Sequence, residues 1–294
     1  MSTISLSNKA SSPSRRDGVL RGAVTTAAVA GIALLAGIIF FVVQESLPAL
    51  TEIGVFRFAS DASWHPLEGA FNMAPMLVGT CLVTVGAVAL ALPLALGAVV
   101  FGRFYLPPRA RAWVRGAIIV LAGIPSVVFG LWGLVTLVPL IAAWQPPGAS
   151  LLSASIVLAI MITPTVALLS DSALEHFPRE QVMAARALGL SNWAIWFHVM
   201  LPARKHALAT AAVLATLRAL GETMAVLMVA GNVPALPTSL SDPVRTLTAN
   251  IALEMAYAVD THRAALFVSG LVLLVLVMAL VLTLGGKSKT VAAA

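Results

Sequence analysis

The chain has 294 residues, 60% of them hydrophobic and 10% charged, with a mean hydropathy of +0.97. That is far more apolar than a soluble domain of this length requires, so the chain is an integral membrane protein. Its formal charge of +6 would suit nucleic acid, but the basic residues are spread over loop roots and never form one stripe, which excludes that reading in favour of membrane topology.

In chain order, residues 1–21 are rich in Ser and Arg and are expected to be a disordered cytoplasmic segment. Ser14-Arg15-Arg16 faintly resembles a twin-arginine export signal. Asp17 and Gly18 follow where an apolar residue is wanted, and no small-residue cleavage site is evident, so the first span is read as uncleaved. Apolar runs long enough to cross hydrocarbon as helices, roughly 20 residues each, recur at about 22–43, 76–101, 113–141, 151–170, 207–231 and 263–284. They are continuously apolar, whereas barrel strands would alternate with a period of two. The expected fold is all-α and polytopic, with about six transmembrane helices. Residues 22–75 make the first helix and outer loop, 76–285 the core and 286–294 a cytoplasmic tail.

Lys and Arg next to spans are retained on the cytoplasmic side. Lys9, Arg15, Arg16 and Arg21 precede span one; Arg103, Arg109, Arg111 and Arg115 separate spans two and three; Arg179, Arg186, Arg204 and Lys205 separate four and five; Lys287 and Lys289 follow span six. The alternate loops hold Arg57, Arg245 and Arg263 beside Glu45, Glu52, Asp61, Glu68, Asp242, Glu254 and Asp260. Both termini are therefore expected inside. The outer loops, at about 44–75, 142–150 and 232–262, are too short to bury a core of their own.

Thr80 and Thr84 in span two share a helical face with small residues, suited to packing against another helix. Pro93 is expected to interrupt this span, and Gly123, Pro125, Gly130, Gly133 and Pro139 to break span three. Broken helices tend to line protein-filled or watery interiors, and close packing without a pathway is the alternative. Cys81, the sole cysteine, lies within a span, so no intrachain disulfide or CxxC pair can form. His65, His176, His198, His206 and His262 show no ligand spacing; they are expected in loops, solvated or at headgroup level, and no metal site is expected.

The loop at about 171–206 should form two short helices meeting at a glycine. Pro178 suits a first helical position, Gly189 a helix end and Ser191 the next cap. Trp193, Trp196, Phe197 and Met200 then fall on one stripe facing away from His198, which either the headgroup layer or a groove on a cytoplasmic partner would cover. Ala184-Ala185, then Gly189, then nine residues, then Val199-Met200-Leu201-Pro202 resembles the EAA loop of bacterial ABC importer permeases, and the spacing matches throughout. Met183 stands where that family has its glutamate, so a salt bridge of that glutamate is absent or replaced. The resemblance implies a type I importer permease fold, with Ala184, Ala185, Gly189, Leu201 and Pro202 in a coupling loop seated on the ATP-hydrolysing subunit. GIPSVVFGLWGL (123–134) and RALGETMAVLMVAGN (218–232) resemble the PstC-type permeases of phosphate importers.

Arg218 lies near the middle of span five, where a charge costs roughly 2.5–3.5 kcal/mol, so it should face an interior. Glu222 is four residues on. The two can pair as a scaffold ion pair orienting the helix, or border an anion pathway. In the second case Arg218 would donate a fork of hydrogen bonds to a phosphate, and Glu222 would favour an anion that still carries a proton. Thr223 adjoins them, and Asn232 is a candidate at the outer gate.

The chain has no P-loop, so it is expected to be no enzyme and to bind no cofactor. The resemblance places ATP and Mg on two copies of a partner ATPase. It further implies a second, PstA-like permease, an extracytoplasmic phosphate-binding protein that the acidic outer loops could dock, and the bacterial inner membrane. Expected function is thus a phosphate importer's transmembrane subunit; the alternatives are a permease for phosphonate, phosphite, sulfate or molybdate, and an ion-coupled secondary carrier.

Overall fold

The structure, a computed structural model, describes residues 15–175 and 177–291, with the side chains of 18–175 and 177–282. Two units are distinguished, residues 1–45 and 46–294. The described part of the first is helical, supplied by α1 (Arg15–Glu52), whose last turns belong to the second unit. Helix therefore starts earlier than the expected boundary at 21, because Arg, Val and Leu are adequate helix formers continuous with the apolar run; residues 1–14 of the segment expected to be disordered lie outside the described residues.

The second unit continues with α2 (Arg57–Ser60), the antiparallel strands β1 (Trp64–His65) and β2 (Ala70–Phe71), and α3 (Ala74–Phe104). Next come α4 (Pro108–Gly123), α5 (Ser126–Trp132), a π-helical stretch (Gly133–Leu137), α6 (Val138–Ala142) and α7 (Leu151–Glu175). After α8 (Arg179–Ala187) and α9 (Asn192–Ala194), a second π-helical stretch (Ile195–Met200) leads into α10 (Leu201–Leu220). The chain closes with α11 (Met224–Val229), α12 (Leu247–Glu254) and α13 (Asp260–Val291).

Four of the expected spans, α1, α3, α7 and α13, are single helices long and apolar enough to cross a membrane. The other two are broken. The third bends by 91° between α4 and α5, where Ile124, the residue before Pro125, is extended at ψ 131°, as a prolyl ring imposes on its neighbour. The fifth stops at Leu220 and resumes at Met224. Pro93, by contrast, does not interrupt α3.

The α3–α7 pair is the axis of the unit. Ala87, Ala91 and Ala95, four apart and fully buried on α3, let the two backbones approach, as small residues do in membrane bundles. Gly86 is needed there, since a Cβ would lie 2.6 Å from Ser155 Oγ. Val83, Phe129, Val157, Leu158, Val226 and Val229 fill the middle of the core. Val99, Leu174, Phe177, Trp196 and Met200 fill the end where α3 and α7 terminate. At the opposite end Ala49, Phe58, Trp64, Phe71, Leu247 and Leu266 pack together, so the segment between α1 and α3 joins the core formed with α12 and α13. The Thr face of α3 packs as expected: Thr80 is buried and its Oγ1 accepts the Leu247 amide at 3.0 Å.

Candidate functional site

The break after α10 is local chemistry. Gly221 ends the helix with its amide donated to Leu217 O at 3.2 Å, and the Glu222 amide turns back to Ala219 O at 3.2 Å. Glu222 Oε1 then accepts the Ala225 amide at 3.1 Å, satisfying one of the donors that open α11. Its carbonyl accepts Thr248 Oγ1 from α12 at 2.8 Å. Arg218 and Glu222 are consequently not one turn apart on a continuous helix, and among the described residues they form no ion pair. Arg218 stays in the last turn of α10, where a cation suits the negative end of the helix. Its side chain is exposed in this chain, with no hydrogen bond or ion pair among the described residues. Thr223 is part-buried beside it, at φ −118° and ψ −62°.

Asn232 is placed apart from these three, beyond the far end of α11. It follows Gly231, at φ +84°, adopts φ +57° itself and donates Nδ2 to Leu227 O at 2.7 Å, satisfying a carbonyl in the last turn of the helix. Its carbonyl accepts Arg245 Nε at 2.8 Å. Arg245 Nη1 also donates to Asn250 Oδ1 at 3.0 Å and Glu254 Oε1 at 2.7 Å. Glu254, 7% exposed, receives Trp64 Nε1 at 2.8 Å and sits 2.9 Å from His262 Nε2 on its second oxygen. This cluster was invisible to sequence reasoning. The expectation of a loop histidine, solvated or at headgroup level, fails for His262, which α13 carries and buries against Glu254; His176 lies outside the described residues. Arg245 and Glu254 straddle a helix start, so no periodicity pairs them. Their burial could be read only once Trp64, 190 residues away, was placed against them.

Three of the acidic groups expected in outer loops are thus used internally. Besides Glu254, Asp61 accepts the Phe71 amide and two Arg57 nitrogens, and Asp242 accepts the amides and hydroxyls of Thr238 and Ser239. Those donors hold the Asp242 carboxyl well below the usual carboxylate range, the Thr238 hydroxyl contributing most. The ordered loop closes on α7 through Leu151 N to Asp242 O, 2.9 Å, and Leu152 N to Leu240 O, 2.9 Å.

At the other end, α8 ends in a Schellman turn: the Gly189 amide donates to Arg186 O at 2.9 Å and the Leu190 amide to Ala185 O at 3.1 Å. Gly189 takes φ +76°, which a Cβ would oppose. Ser191 Oγ caps α9, accepting the Ala194 amide at 3.2 Å. The two helices do meet at this glycine, although Pro178 is the cap rather than the first helical residue. The second helix is not short; it runs through the π-helical stretch, Leu201 and Pro202 into α10. That stretch splits the aromatic stripe. Trp196 and Met200 are buried with Ala185, while Trp193 and Phe197, centroids 4.4 Å apart, stay exposed. Ala184, Met183, Leu188 and Trp193 are all exposed, giving the turn an apolar outward surface.

The family model for "Binding-protein-dependent transport system inner membrane component" matches residues 87–286. The chain is 31% identical to the phosphate transport system permease protein PstC of Mesorhizobium japonicum, over 88% of this chain and 86% of that protein. It is 35% identical to the probable ABC transporter permease protein YqgH of Bacillus subtilis, over 86% and 84%, and 33% identical to PstC of Xylella fastidiosa, over 79% and 78%. Among solved structures it resembles the inward-facing MetNI methionine ABC transporter, with TM-score 0.61 and 17% identity over 77% of this chain and 98% of that one.

Proposed function

The chain belongs to the family of binding-protein-dependent transport system inner membrane components, and on that premise we propose that it is the PstC-like transmembrane subunit of an ATP-driven phosphate importer. Members of this family are multi-pass inner-membrane permease subunits; they are not enzymes, and a partner subunit hydrolyses the ATP. The observation that carries the phosphate reading is Arg218, an unpaired guanidinium at a helix break inside an apolar segment. A transported anion must leave again, so a site with one free fork and no closed cage is what conduction asks for. Glu222, held to α11, and Thr223 would flank the ion, and Asn232 would belong to the outer closure.

In this reading the exposed turn at Ala184 and Gly189, backed by the buried Ala185, seats on the ATPase, present in two copies that carry ATP and Mg. Leu201 and Pro202 pass its movement directly into α10, since one helix connects them to Arg218. A PstA-like permease would complete the pore, an extracytoplasmic phosphate-binding protein would deliver the ion, and both termini would lie in the cytoplasm.

The deciding experiment is phosphate uptake by the reconstituted complex for wild type, Arg218→Ala and Glu222→Gln, with sulfate as competitor. Loss of uptake in Arg218→Ala, with the ATPase still co-purifying and sulfate without effect, is the expected result. Unchanged uptake in Arg218→Ala removes the pathway role, and competition by sulfate moves the substrate to another oxyanion.

A further inference from the structure

A second cationic site lies at the end of the bundle where α3 and α7 terminate. A cavity of about 370 Å³ is walled by Arg103, Arg111, Arg179 and Arg186, with Phe104 and Phe177 among its apolar lining. Arg103, Arg111 and Arg115 share two carboxylates, Asp171 and Glu175, at 2.7 to 3.9 Å. Arg179 and Arg186 have no carboxylate partner among the described residues, so the site holds a surplus of positive charge. Arg111 also closes a narrow apolar furrow between α3, α4 and α7, lined by Ala98, Val99, Ile118 and Leu168. The furrow is short: it takes in about one turn of each of two candidate spans, residues 98–102 of Ala74–Phe104 and 167–171 of Leu151–Glu175, with Arg115 and Asp171 at its cavity end, while the cavity lies where both spans end. Guanidinium groups above an apolar slot at that level match a phosphodiester headgroup attached to a hydrocarbon chain.

We propose that this cavity binds the phosphate headgroup of an anionic phospholipid, with the headgroup-proximal part of one acyl chain laid in the furrow. Because Arg179, Met183 and Arg186 all lie on α8, the lipid would brace the helix that carries Ala184 and Ala185. A free phosphate ion offers the same headgroup chemistry without the chain. Charge surplus selects the anionic lipid over a zwitterionic one, and the furrow selects a lipid over an ion. This site is independent of which substrate the permease carries.

The test is native mass spectrometry of the full chain, purified with the subunits that accompany it, titrated with dioleoyl phosphatidylglycerol, dioleoyl phosphatidylcholine and inorganic phosphate. Phosphatidylglycerol should be retained over phosphatidylcholine. The double variant R179Q/R186Q, at exposed positions, should weaken phosphatidylglycerol about thirtyfold, the loss expected for two arginines at a membrane surface. Ala98→Trp, which blocks the furrow, should weaken the lipid and leave any retention of inorganic phosphate unchanged. Equal retention of the two lipids overturns the proposal. So does displacement of phosphatidylglycerol by millimolar inorganic phosphate, which would make the site one for a free anion. Loss of the ATPase from R179Q/R186Q with lipid retention intact would make the cavity a protein-docking surface instead.

Discussion

Two arginines near opposite ends of α11 have opposite surroundings. Arg245 spends three donors on Asn232 O, Asn250 Oδ1 and Glu254 Oε1, and Glu254 is in turn engaged by Trp64 and His262. Arg218, in a stretch at least as apolar, has no partner among the described residues. A half-buried charge whose donors already hold a carbonyl, an amide oxygen and a carboxylate is a strut, because any ligand would have to break existing bonds to reach it. A charge kept without partners in an apolar segment is costly to the fold, and in the function proposed above a transported anion would offset that cost. What separates the two arginines is how far their donors are already paired.

The largest effect should come from the strut. Glu254→Ala leaves Arg245 uncompensated and Trp64 Nε1 without its acceptor, and should lower stability by about 3–5 kcal/mol, read as a fall in the unfolding midpoint of the purified complex. A loss well under 1 kcal/mol would mean that water already serves Arg245 and that the contrast with Arg218 is false. Next comes Arg218→Ala, for which stability should stay within about 0.5 kcal/mol. Uptake of phosphate should drop roughly 10- to 100-fold, the equivalent of one charge-assisted hydrogen bond to the ion. If Arg218→Ala unfolds the protein as Glu254→Ala does, both arginines are struts.

The sequence made Arg218 conspicuous and left Arg245 unremarked, and the reason is physical. A charge inside an apolar run is visible against its background. A charge in an outer loop looks solvated until Trp64, α12 and α13 converge on it, which depends on contacts far apart in sequence. The same asymmetry runs through the fold. Long apolar runs announced α1, α3, α7 and α13, and the Gly189 turn was legible because its glycine and Ser191 cap act within a few residues. The break at Gly221 was hidden, since Gly221 and Thr223 are tolerable in a helix and only the bonds of Glu222 to Ala225 and of Thr248 to Glu222 stabilise the open form. Pro93 misled in the other direction: a prolyl ring costs one helical bond, and packing of Ala91 and Ala95 against α7 holds α3 together across it.

Thr248 connects the two regions. It donates to the Glu222 carbonyl at 2.8 Å from the helix that also presents Asn250 and Glu254. Thr248→Val keeps the shape but leaves that carbonyl without its donor, and should cost about 1 kcal/mol. Combined with Glu254→Gln, the losses should exceed or fall short of additivity by at least about 0.5 kcal/mol if α12 transmits strain between the break and the strut. Strict additivity in denaturant unfolding would show the two regions to be mechanically separate.

The smallest effect concerns pH. Asp242 is solvent-facing, unlike Glu254, yet its carboxylate organises the loop that closes on Leu151 and Leu152. Because its pKa in the folded chain is depressed, the contribution is present above the unfolded value of about 3.9 and fades as pH falls through the folded value. Acidification from neutrality to about pH 4 should therefore leave the 231–246 loop intact, and only stronger acid should loosen it. Limited proteolysis of the wild type against Asp242→Asn reads this directly. The variant, which accepts fewer of the four donated hydrogen bonds and carries no charge, should be cleaved in this loop at every pH, while cleavage of wild type should begin only in strong acid. If both resist cleavage equally at neutral pH, the backbone hydrogen bonds from Val244 N to Ala230 O, Leu151 N to Asp242 O and Leu152 N to Leu240 O hold the loop alone. Asp242 would then be a satisfied surface group, and complete pairing would mark a strut only where the pair is also buried.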